Sequence, residues 1–94
     1  MADVFMKPVM VITGSRKGLG RAAAEHYLAA GWRVIGCSRE VSDLKASDYR
    51  HYEVDVADEA AVVRMVSDVA ERDGGVDALI NNAGIASMNY ALLS

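Results

Sequence analysis

The chain has 94 residues, 52% of them hydrophobic, with 10 basic and 13 acidic side chains and a formal net charge of −3. At ~100–200 residues per domain it is at most one domain. Its apolar content rules out disorder, and its acidic balance argues against a nucleic-acid or anionic-membrane surface. A single cysteine provides no disulfide framework. No apolar run approaches the ~20 residues that cross a bilayer, and the start of the chain carries Asp3 and no signal-peptide core. A cytoplasmic location is expected.

Pro8 to Thr13 is short, β-branched and apolar at consecutive positions. Continuous rather than alternating hydrophobicity predicts a strand covered on both faces, as in a parallel sheet. After Gly14-Ser15-Arg16-Lys17-Gly18-Leu19-Gly20, the spacing of Leu19, Ala23, Tyr27 and Ala30 predicts a helix with one apolar face, ended by Gly31. Arg33 to Ser38 reads as a second strand. Residues 40–48 read as a loop or one short helix, and His51 to Val56 as a third strand with Tyr52, Val54 and Val56 on one face. Asp58 is placed to cap a second helix with a stripe of Val62, Met65, Val66 and Val69, ended by Gly74-Gly75. Val76 to Ile80 reads as a fourth strand running into Asn81-Asn82-Ala83-Gly84. Strands alternating with helices imply right-handed β-α-β units. The expected fold is an α/β, Rossmann-like parallel sheet in the order 3-2-1-4 with helices on both faces.

Three places carry chemistry. Glycines 14, 18 and 20 separate a buried strand from a helix, where a sharp turn and close approach to a phosphate both need an absent Cβ. The helix start then offers unpaired N–H groups and a positive dipole end to a pyrophosphate. The spacing differs from G-x-G-x-x-G, and a plain tight turn would use the same residues. A P-loop is excluded because Lys17 precedes Gly18. At the end of the second strand, where NAD binders place an acid for the ribose 2′-hydroxyl, this chain has Ser38-Arg39. With Arg16 and Lys17 these cations suit a 2′-phosphate, although a solvated basic surface is the plainer alternative and Glu40 leaves room for NAD(H). Finally, Asn81 to Gly84 could be a structural turn or a small-residue floor for a flat cofactor.

Thr13-Gly14-x-x-x-Gly18-Leu19-Gly20, then Asp55-Val56, then Asn81-Asn82-Ala83-Gly84, in this order, resembles the short-chain dehydrogenases/reductases from about Lys7 to at least Ile85. The resemblance implies an NAD(P)-dependent oxidoreductase acting on a carbonyl or alcohol. It implies that Gly14, Ser15, Arg16, Lys17, Gly18, Leu19 and Gly20 hold the pyrophosphate and adenine ribose. Lys17 and Arg39, beside Ser38, would face a 2′-phosphate. Asp55 and Val56 would meet the adenine, and Asn82, Ala83 and Gly84 would line the ribose. NADP(H) is the expected cofactor, with NAD(H) second.

The family's catalytic Tyr-x-x-x-Lys, Ser and Asn have no match here. Tyr27, Tyr49, Tyr52 and Tyr90 are followed four residues later by Gly31, Glu53, Val56 and Ser94. Residues 1–94 are therefore expected to be the N-terminal part of one NAD(P)-binding domain, cut after the fourth strand and inactive alone. A non-catalytic nucleotide-binding remnant, pairing with another chain through its sheet edge, is the alternative. A homo-oligomer is expected. Cys37 and Trp32 are assigned packing roles, His26 and His51 surface or structural ones, and Asp68, Glu71, Arg72 and Asp73 a solvated helix face.

Overall fold

The computed structural model describes residues 7–82. Their elements are β1 (Val9–Thr13), α1 (Gly18–Ala29), β2 (Arg33–Ser38), β3 (Tyr49–Glu53), α2 (Glu59–Asp73) and β4 (Ala78–Asn81). The four strands form one parallel sheet in the order β3-β2-β1-β4. β1 is buried at all five positions, which is why its sequence is apolar throughout. Val9 and Val11 pack with Ile35 and Cys37 against Val62, Met65 and Val69 of α2. Met10 and Ile12 pack with Val34 against Ala24 of α1 on the other face. The helices therefore cover opposite faces, as expected.

Several boundaries differ from the sequence reading. β3 starts two residues earlier and ends at Glu53, because its pairing runs from Val34↔Tyr49 to Ser38↔Glu53 and stops where β2 stops. Val54 and Val56 continue beyond the sheet, still packed with Tyr52 on the α2 side. β4 starts at Ala78, since Asp77 ends the approach: its carboxylate accepts from the Val9 N–H at 2.7 Å and its own N–H donates to the Val9 carbonyl at 2.9 Å. Residues 40–48 contain no helix. In α1 the buried positions are Gly20 and Ala24; of the expected stripe, Ala23 and Tyr27 pack against the core with Leu28, and its two ends do not. Leu19 is 82% exposed and Ala30 is exposed as well.

α2 matches its expected start and stripe. The Asp58 carboxylate accepts from the Ala61 N–H at 3.1 Å, and Gly74 closes the helix in a left-handed conformation. Its acidic face is not simply solvated. The Asp73 side chain is 1% exposed and pairs with Arg50 at 2.6 Å and Arg33 at 3.3 Å, and Asp68 accepts from the Tyr52 hydroxyl. Trp32 packs edge-on against Tyr27, as a structural residue should. Among the described residues no helix is long and apolar enough to cross a membrane.

Candidate functional site

In a parallel sheet of this kind the loops after the strands meet at one edge. Here β1 and β2 end together, with Thr13 opposite Cys37. The chain leaves β1 through Gly14 at φ 66°, and Gly18 enters α1 at φ 63°. A side chain in this left-handed region costs about 1–2 kcal/mol. The loop is pinned from beneath: the N–H groups of Gly14 and Ser15 donate to the Cys37 carbonyl at 2.9 and 3.3 Å. At Gly20 space decides the residue, since a Cβ there would lie 2.0 Å from the Gly14 carbonyl oxygen. α1 begins behind this loop with Lys17 as its cap residue. That side chain makes no capping hydrogen bond, and no acid stands in the first turn. Among the described residues, no side chain caps the opening N–H groups of the helix, which always lack intrahelical acceptors.

Beside the loop lies an open cleft of about 260 Å³. Gly14, Arg16 and Lys17 form one wall, residues 37–40 the floor, and residues 54–56 the far wall. Arg16, Lys17 and Arg39 give it three cations against the carboxylates of Glu40 and Asp55, a local excess of one positive charge in a chain of net −3. Arg16 is ion-paired with Glu40 at 3.3 Å. Among the described residues neither Lys17 nor Arg39 has an ion-pair partner. Asp55 accepts from the Ala57 N–H at 2.9 Å, which fixes the turn out of β3. On the opposite side, the Thr13 hydroxyl donates to the Asn81 side-chain carbonyl at 3.0 Å, and the Asn82 amide reaches the Gly14 carbonyl at 3.4 Å.

The residues singled out in the sequence thus fall into distinct positions. Gly14, Arg16, Lys17, Ser38, Arg39, Asp55 and Val56 line the cleft. Gly18, Leu19 and Gly20 form the first turn of α1 at its side, and Asn82 touches the loop. Ser15 is fully buried beneath it rather than at its surface. Ala83 and Gly84 lie outside the described residues.

The sequence reading missed what Ser15 touches. Its hydroxyl lies 2.9 Å from that of Tyr49, which lies 2.7 Å from Nδ1 of His51. Nε2 of His51 lies 2.8 Å from the Ser38 hydroxyl and 3.0 Å from the Glu40 carbonyl, to which Ser38 also donates. Burial lowers the His51 pKa, opposed by the Glu40 carbonyl and Glu53, and burial raises that of Tyr49. The Cys37 thiol, also against the cleft, is pushed up to about 11 by burial and stays protonated. The available signal was Gly36 inside an otherwise apolar strand, since glycine in a strand marks close approach.

A model of the short chain dehydrogenase family matches residues 8–93. The chain is 32% identical over 94 residues to the 3-oxoacyl-acyl-carrier-protein reductase FabG of Salmonella typhimurium, covering 94% of this chain and 38% of that one. A short-chain dehydrogenase from Streptomyces avermitilis superposes with a TM-score of 0.84 at 30% identity, over 93% of this chain and 44% of that one. The structure of ElxO with NADP bound superposes with a TM-score of 0.77 at 30% identity, over 85% and 36%. The chain spans only 20% to 38% of the length of the curated relatives it matches.

Proposed function

This chain belongs to the short-chain dehydrogenase family, a family of nicotinamide-dependent oxidoreductases, and we propose that its cleft binds NADP(H) in preference to NAD(H). The observation that carries the preference is the charge at the end of β2. Lys17 and Arg39 converge on the cleft beside Ser38, while the nearest acid, Glu40, is engaged by Arg16. A 2′-phosphate would receive two cations and a hydroxyl there, whereas a bare ribose hydroxyl finds no uncommitted carboxylate at Ser38-Arg39.

The residues fit a dinucleotide. The uncapped start of α1 suits a pyrophosphate, with the helix dipole favouring its charge, and the absent Cβ at Gly20 keeps the loop against the helix. Asp55 and Val56 would hold the adenine. Asn82, through the Gly14 carbonyl, steadies the loop from the β4 side, and Ala83 and Gly84 are assigned to the ribose by their place in the motif. When bound, the nicotinamide supplies or accepts hydride; this chain's part is to grip and orient the dinucleotide. For the whole protein the proposed reaction is hydride transfer between NADPH and a carbonyl or alcohol. The groups that would activate that substrate have no counterpart among Tyr27, Tyr49 and Tyr52.

Calorimetric titration of the chain with NADPH and NADH tests this. NADPH is expected to bind at least about tenfold tighter, and Arg39→Ala to remove most of the difference, consistent with ~1.5–3 kcal/mol for a charge-assisted contact. Equal affinities that Arg39→Ala leaves untouched would refute the preference.

A further inference from the structure

We propose that Tyr49 and His51, which do not line the cleft, are positioning residues for cofactor choice: the hydrogen-bonded series Ser15–Tyr49–His51–Ser38 ties the glycine loop to the turn after β2 and so sets the spacing at which a 2′-phosphate is held. The proposal rests on the NADP(H) reading above.

Three observations carry it. First, the series is continuous. Its links are 2.9 Å, 2.7 Å and 2.8 Å, and it joins the loop after β1 to the end of β2 by way of the neighbouring strand β3. Second, its proton directions are mutually consistent. The Glu40 carbonyl can only accept, so the neutral imidazole carries its proton on Nε2 and donates to Ser38 and Glu40. Nδ1 is then an acceptor for the Tyr49 hydroxyl, whose oxygen accepts from Ser15. Ser38 in turn donates to the Glu40 carbonyl. Ser15 is fully buried, and the bond to Tyr49 satisfies it.

Third, β2 is built around the series. A Cβ at Gly36 would lie 2.0 Å from the Tyr49 hydroxyl oxygen and 2.1 Å from Ser15 Oγ. A glycine in the middle of a strand is destabilising by itself. At Gly36 it leaves the space in which the two hydroxyls meet. The segment held at the far end is Ser38 to Glu40, and Glu40 in turn holds Arg16. A 2′-phosphate, which would take its charge from Arg39 and a hydroxyl from Ser38, depends on the placement of these residues more than a bare ribose hydroxyl does. The glycine loop that serves the pyrophosphate is pinned independently by the Gly14 and Ser15 N–H groups on the Cys37 carbonyl, whereas the Ser38 hydroxyl and the Glu40 carbonyl are held by His51, so cutting the series acts on NADPH more than on NADH.

The test measures Kd for NADPH and for NADH by fluorescence titration of the whole chain, as wild type, Tyr49→Phe, His51→Leu and His51→Gln. Tyr49→Phe and His51→Leu are expected to weaken NADPH about five- to tenfold, the worth of a hydrogen bond, and NADH less than about twofold. His51→Gln, whose amide can still donate to the Glu40 carbonyl, should restore most of the ratio. A second readout needs no variant at position 51. The ring nitrogen resonances of His51, assigned with His26→Gln, should report the Nε2–H tautomer and move on saturation with NADPH but not with NADH. Equal losses for both nucleotides, an unchanged ratio, or His51 signals indifferent to NADPH would overturn the positioning role while the NADP(H) reading stands. A wild-type chain that binds neither nucleotide would overturn both.

Discussion

Gly20 shows how one missing carbon shapes the nucleotide loop. Its neighbour is the Gly14 backbone carbonyl, 2.0 Å from where a Cβ would be, and backbone cannot swing away as a long side chain can. Gly20→Ala is therefore expected to destabilise the chain by about 1–3 kcal/mol through overpacking and to displace the loop. Urea unfolding reads the first effect and NADPH titration the second; a variant with wild-type midpoint and affinity would refute the tight packing. The glycines at 14, 18 and 20 were legible in the sequence because a turn and a close approach leave the same mark on residue type. Ser15, Tyr49 and His51 were not, since serine, tyrosine and histidine serve many surfaces and their meeting depends on two strands lying side by side. Gly36 was the only trace they left.

Among the elements, the helices were read well where one physical cause dominated. Asp58 caps α2, and Val62, Met65 and Val69 face the sheet, because capping and a 3.6-residue period are local properties. α1 departs from its expected stripe at the ends: Ala23 and Tyr27 pack on the core, but the tight seat of Gly20 against Gly14 leaves Leu19 on the outside. The acidic end of α2 departs from a solvated face for another reason. Asp73 looks like any helix-end acid until the ends of β2 and β3 bring Arg33 and Arg50 to it. Asp73→Ala is expected to cost about 1.5–3 kcal/mol, since a side chain only 1% exposed accepts charged hydrogen bonds from two guanidinium groups. Asp68→Ala, on the more exposed Asp68–Arg72 pair, should cost less. Thermal or denaturant midpoints rank the two, and an equal or reversed ranking would show that Asp73 is not a tie between helix and sheet.

Across the whole molecule, protonation links the site to stability. His51 is held below its ordinary pKa by burial, so near the ~6.5 of an unfolded imidazole the unfolded chain binds more protons. Stability from this group is thus present above ~6.5 and lost as pH falls through that value. The carboxylates of Asp43, Asp48 and Asp68 are held low by Arg21, Lys7 and Tyr52 respectively. Their contribution is present above an unfolded aspartate's ~3.9 and fades as pH drops below it. Melting temperature is expected to decline in two separated steps on acidification, and His51→Gln should flatten the upper one. A single acid step in both chains would contradict the burial of His51. What the order of residues decided was the repeating strand–helix grammar, the nucleotide loop and the family, because these depend on periodicity and on local turns that need glycine. Which side chains share a cleft, which acids are buried in ion pairs, and how Ser15 is joined to Ser38 arose from parallel pairing. That pairing places residues up to 68 positions apart, such as Thr13 and Asn81, within hydrogen-bonding distance, and no window of sequence encodes that proximity.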